Sequence, residues 1–115
     1  MKKLMLTGFF LFLGVFAVSA QNQPTVRIVN NTGHQIYFIF ISPSDNETWG
    51  EDLLGEDILE NGQTFTYQLP QPLNRVNVYD IRLEDEDEDA YTKMKITMTN
   101  NARIVFTIDD LEEED

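Results

Sequence analysis

The stretch Asn61-Gly62-Gln63-Thr64-Phe65-Thr66-Tyr67-Gln68-Leu69-Pro70 reads as a turn followed by a strand. Asn-Gly supplies two residues that tolerate positive φ. After it Phe65, Tyr67 and Leu69 alternate with polar partners over Gln63–Leu69, the period of a half-buried strand, and Pro70 and Pro72 end it. Toward the N-terminus, Ile36 to Ser42 is β-branched or aromatic on both faces, which predicts a central strand, stopped by Pro43. Thr25 to Asn30 alternates around Val26 and Ile28, and Asn31-Thr32-Gly33-His34 supplies a turn behind it. Toward the C-terminus, strands are predicted over Val76–Leu83, Ala90–Thr99 and Arg103–Ile108. In the second of these, Met94, Ile96 and Met98 would face the core, with Lys93, Lys95 and Thr97 opposite. Asn100-Asn101 fits a two-residue hairpin turn, because Asn enters the left-handed region more readily than most residues. Six to seven short strands with no helical period predict an all-β chain, an antiparallel β-sandwich of immunoglobulin-like type.

Residues 43 to 62 form the longest stretch between strands. Within it Gly50-Glu51-Asp52-Leu53-Leu54 is nearly repeated as Gly55-Glu56-Asp57-Ile58-Leu59. A period of five suits neither helix nor strand, so one structured loop is predicted, with a short helical turn capped by Ser44 or Asp45 and closed by Gly55. Loops of this length are usually functional or ordered by their own side chains. Trp49 has two readings: a plug closing the sandwich together with Leu53 and Leu54, or an exposed ring on which a ligand stacks.

The chain of 115 residues allows one domain. Met1-Lys2-Lys3, the apolar run Leu4–Val18 and the small residues Val18-Ser19-Ala20 have the pattern of an export signal, too short to span a bilayer. The domain division is therefore 1–20 signal peptide, 21–108 β-sandwich and 109–115 acidic tail. Removing the signal removes Lys2 and Lys3 and takes the formal charge from −12 to −14. The expected location is exported, periplasmic or secreted. Cysteine is absent, so disulfides, thiolate metal sites and thiol catalysis are excluded. Such acidity disfavours nucleic acid and anionic membranes, which reward Lys and Arg.

Asn31-Thr32-Gly33, Ile36, Ile41-Ser42-Pro43-Ser44 and Trp49-Gly50-Glu51-Asp52-Leu53-Leu54-Gly55 together resemble a small, largely uncharacterised family of exported bacterial β-domains. Tyr79-Asp80-Ile81 and the acidic turn before Tyr91 also fit. The resemblance implies export and a β-domain, and no particular activity. Similar proteins often carry an Asp-x-Asp-Gly turn where this chain has Ala90.

The acids fall in three clusters: residues 45–60, 84–89 and 109–115, with Asp80 alone outside them. If each strand crosses the sandwich once, all three clusters reach one end, and Gly33-His34 lies at the other. Crowded carboxylates raise one another's proton affinity unless something neutralises them. Three readings stand: solvated surface, a divalent cation, or a basic protein partner. For a cation, calcium is the candidate, on Asp85, Asp87 and Asp89 at the alternate spacing that opens a calcium loop, with Asp52 and Asp57 completing the set. The departures are Ala90 and Ile96 at loop positions six and twelve.

His34 is the single histidine, so Ser-His and Cys-His catalysis lack a partner set. No phosphate-cradling Gly-rich loop and no basic aromatic patch is present. The chain therefore reads as no enzyme and as needing no certain cofactor. Two functions remain. One is a non-catalytic exported interaction module whose acidic loop end, with Glu51 and Glu56, meets a partner in the envelope or outside the cell. The other is a small carbohydrate-binding β-sandwich module whose Trp49 stacks on a glycan ring.

Overall fold

The computed structural model describes residues 23–113. The export signal read over residues 1–20 lies outside them. The described chain forms six strands and a single 3-10 turn. They are β1 (Thr25–Asn31), β2 (Ile36–Pro43), β3 (Thr64–Gln68), β4 (Val78–Asp85), β5 (Ala90–Thr97) and β6 (Ala102–Thr107), followed by the turn Ile108–Asp110. They make two three-stranded sheets, ordered β3-β1-β6 and β2-β4-β5. The strand boundaries agree with the sequence reading to within two residues at each end. The chain is an all-β sandwich, as the alternation predicts. An immunoglobulin domain divides its seven strands four and three, whereas these six divide three and three.

The core lies between the sheets. Val26 and Ile28 from β1, Ile39 from β2, Tyr79, Ile81 and Leu83 from β4, and Phe106 from β6 are at most 1% exposed. Five of the six strands thus contribute fully sequestered side chains, Tyr91 of β5 included. Each such aliphatic burial contributes about 1.5–3 kcal/mol. That term must carry a chain without disulfides.

One pairing is parallel. Strand β1 runs antiparallel to β3 but parallel to β6, with Val26 opposite Ala102 and Asn31 opposite Thr107. Consequently Asn100-Asn101 does not close a hairpin. It carries the chain from β5 in one sheet to β6 in the other, and Asn101 takes φ +64°, the left-handed conformation its type favours.

The long segment between β2 and β3 overturns the one-end arrangement of the acids. Strand β2 ends at Pro43, but β3 starts beside the far end of β1, where the Asn30 N–H donates to the Gln63 carbonyl and Gly62 N–H to Asn30. The segment is a crossover. It returns along the outer edge of β2, where the Leu53 N–H donates to the Ile39 carbonyl at 2.8 Å and Leu59 forms an antiparallel bridge with Ile36. No helical turn forms within it. The five-residue repeat has a packing meaning instead, since its last residues, Leu54 and Leu59, both enter the core. Strand β2 is therefore the formal edge of its sheet, not a central strand. Its apolar outer face carries Phe38 stacked on Phe40, ring centroids 6.3 Å apart, with Phe38 39% exposed.

The C-terminal segment is also part of the fold. Leu111 bridges Tyr91 and packs on the core, while Glu112 N–H donates to the Ala90 carbonyl. The folded chain thus runs past residue 108 to include Leu111 and Glu112. The hairpin end of the sandwich gathers the β4–β5 turn, this C-terminal segment, Glu60 and the His34 turn. Opposite it, the proline end gathers Pro43, Pro70, Pro72 and Asn100.

Candidate functional site

Strand β5 departs from its predicted alternation at a β-bulge. Ile81 pairs with Lys93, yet Tyr79 pairs with Ile96, so β5 holds one residue more than β4 across this step. Lys95 takes φ +55° there. The extra residue reverses the faces. Lys93 turns toward Phe106, its ammonium 5.5 Å from the ring centre and 3.0 Å from Asp110. Met94, expected in the core, is 56% exposed.

Asp80 of β4 holds the bulge. Its Oδ1 accepts from the Lys95 N–H at 2.8 Å and from Ser44 Oγ at 2.7 Å. The residue is 9% exposed. Its Oδ2 accepts no hydrogen bond from any described residue, and it is not sealed off, since Asp80 lines an open hollow. No described Lys, Arg or His side chain forms an ion pair with it.

That hollow, about 140 Å³, is walled by Ser42, Asn46, Glu47, Thr48, Trp49, Asp80 and Met94. Ser42 shapes it by donating from Oγ to the Thr48 carbonyl at 3.0 Å, which folds the chain back after Pro43. Gly50 then turns the chain away at φ +83°. Leu53 and Leu54 join the core as predicted, but Trp49 does not. The indole is half-buried at the hollow, so the plug reading holds for the leucines and fails for the tryptophan. A second hollow of about 280 Å³ is lined by Ser44, Asp45, Arg75, Val76, Asn77 and Val78, and its Ser44 donates to Asp80 of the first.

Asp52 serves the loop itself. Its carboxylate accepts from the Ile39, Leu54 and Gly55 N–H groups at 2.9 to 3.1 Å. It has no place near the β4–β5 turn, and neither Asp52 nor Asp57 joins the acids there. Asp57, Glu51 and Glu56 are exposed along the crossover and line neither hollow.

The turn between β4 and β5 does bring Asp85, Asp87 and Asp89 within 4.8 Å of one another, and likewise His34, Glu86 and Asp87. Asp85, 2% exposed, spends its oxygens internally. Oδ1 accepts from the Asp87 and Asp89 N–H groups, and Oδ2 from the Tyr91 hydroxyl at 2.8 Å. It is the anchor of a tight turn, and Glu88 closes that turn at φ +69°. The calcium set of five carboxylates is therefore not assembled. His34 Nδ1 lies 3.8 Å from Glu86 Oε2, which brings the histidine to the acidic end and not the opposite one.

The sequence reading missed Asp80 and Met94 as site residues. For Asp80 the signal was present: a lone carboxylate inside the apolar run Val78–Leu83 must have partners to be buried. Met94 was hidden by the bulge, which no local pattern announces.

No family model matches this chain, and no curated protein matches it. A solved NMR structure of a protein from Eubacterium rectale is similar at a TM-score of 0.59 with 12% identity, over 76% of this chain and 80% of that one. At that identity the likeness concerns the fold. Among the described residues no helix is long and apolar enough to cross a membrane.

Proposed function

We propose that the chain is a non-catalytic exported binding module whose ligand surface is the Trp49 hollow, and that its ligand is a carbohydrate. One observation carries this reading: the single tryptophan stands outside the core, half-buried, amid Ser42, Asn46, Glu47, Thr48 and Asp80. An aromatic face surrounded by hydroxyl, amide and carboxylate groups suits a sugar ring, which has an apolar face and a polar rim.

Retention of the mature protein on insoluble polysaccharides tests the reading. Wild type is retained on at least one of cellulose, chitin or peptidoglycan, and Trp49→Ala is not. The variant loses far less stability than the roughly 3–5 kcal/mol of a buried aromatic. A large fall in melting temperature with retention unchanged would return Trp49 to a structural role.

A second reading rests on the hairpin end, where Glu86, Asp87 and Glu88 are exposed and His34 is the neighbouring base. A basic protein partner docking there would be captured from envelope extract at low salt and released as salt is raised.

A further inference from the structure

We propose that the sugar taken by the Trp49 hollow carries a protonated amine, so that the ligand is an amino sugar with its nitrogen unacylated. The proposal rests on the carbohydrate reading and adds the charge of the ligand. Its first support is Asp80. The residue is 91% buried by accessible surface, holds Ser44 and the Lys95 N–H on Oδ1, and lines the hollow, while no described residue donates to Oδ2. A carboxylate so withdrawn from water normally has a counter-charge or a full set of donors. Asp80 has neither among the described residues: Lys95 offers it a backbone amide, and its ammonium forms no ion pair there.

The second support is the rest of the lining. Glu47 adds another carboxylate, and Trp49 adds an indole, the ring type that holds ammonium groups best. Carboxylate, carboxylate and indole around one small hollow define a cation subsite, and Asn46, Ser42 and Thr48 remain for ring hydroxyls. The third support is global. A chain at −12 concentrates cations and repels acidic or sulfated sugars before contact. A neutral sugar would use the indole and could donate a hydroxyl to Asp80 but would leave its charge uncompensated.

The experiment follows Trp49 emission in the mature protein during titration with a glucosamine tetramer, its fully N-acetylated counterpart and n-butylammonium. The expected result is saturable binding of the free-amine tetramer, about tenfold or more tighter than the acetylated one, in line with a hydrogen bond to a charged group. That preference weakens with added salt and disappears in Asp80→Asn. Asparagine keeps an acceptor for Ser44 and the Lys95 N–H. Should its melting temperature fall, Glu47→Gln on the exposed rim provides the same test and loses part of the preference. Equal binding of both tetramers overturns the amine and leaves the carbohydrate reading intact. Butylammonium binding as tightly as the amine tetramer overturns the carbohydrate reading and leaves a bare ammonium subsite. No response to any probe overturns the amine, and retention on cellulose or peptidoglycan then decides the carbohydrate reading separately.

Discussion

Tyr79 and Tyr91 are both 1% exposed core residues, yet their hydroxyls meet opposite fates. Tyr91 donates to Asp85, the anchor of the acidic turn, whereas the Tyr79 hydroxyl is buried without a hydrogen-bond partner among the described residues. Removing one half of a buried pair strands the other, while removing an orphan strands nothing. Tyr91→Phe should therefore cost about 1.5–3 kcal/mol, and Tyr79→Phe should be neutral or stabilising by up to about 1 kcal/mol. Parallel denaturant melts of the two variants check the contrast. Burial raises the pKa of both phenols, reinforced at Tyr91 by its bond to Asp85 and at Tyr79 by Tyr67. The folded chain thus holds these protons when the unfolded chain, titrating near pH 10, has released them. Their stabilisation is complete below about pH 10 and is lost as pH climbs beyond it, with a slope of up to about 1.4 kcal/mol per pH unit for each tyrosine. Melts above pH 10 should show this decline, and each Phe variant should flatten it.

At the level of elements, the second sheet protects both of its edges with irregular chain. The crossover covers β2 through Leu53 and Leu59, and the C-terminal segment covers β5 through Leu111. A 3-10 turn capped reciprocally by Thr107 and Asp110 aims that segment, and the pairs Lys93–Asp110 and Arg82–Glu112 fasten it. Truncation after Ile108 removes the Leu111 side chain from the core and bares the β5 edge. The expected loss is about 2–4 kcal/mol, read as a lower unfolding midpoint and, at high concentration, as aggregation through the open edge. Leu111→Ala in the full chain should show the stability loss without the aggregation. These covers mark the limit of what the sequence reveals. Alternation at Phe65-Tyr67-Leu69 and the Asn-Gly turn made β3 legible, because strand and turn are short-range patterns. The return path of residues 44–63 was not, since it is set by Leu54 and Leu59 seeking a core assembled from distant strands. Met94 was misassigned for a related reason: one extra residue at Lys95 inverts a period of two, and the Asp80 carboxylate that tolerates it comes from another strand. At the candidate site, Trp49 was legible as a residue with two readings. Its neighbours were not, because they converge from β2, the crossover, β4 and β5.

Across the whole molecule, the strand that begins the described domain lies beside the strand that ends it. Val26 faces Ala102, and Thr25 and Asn101 are hydrogen-bonded across 76 positions of chain. Closing so long a loop costs entropy before any contact rewards it, and domains dominated by such pairings fold in about milliseconds to seconds. Stopped-flow refolding followed by Trp49 emission should fall in that range, and a chain ending at Thr97 should yield no folded signal. The parallel β1–β6 pairing therefore acts as a timer. A ribosome releases residues in order, and the first sheet cannot close until Ala102–Thr107 has emerged. Until then β1 has β3 alone for a neighbour, so the sheet is completed by the last strand to be synthesised.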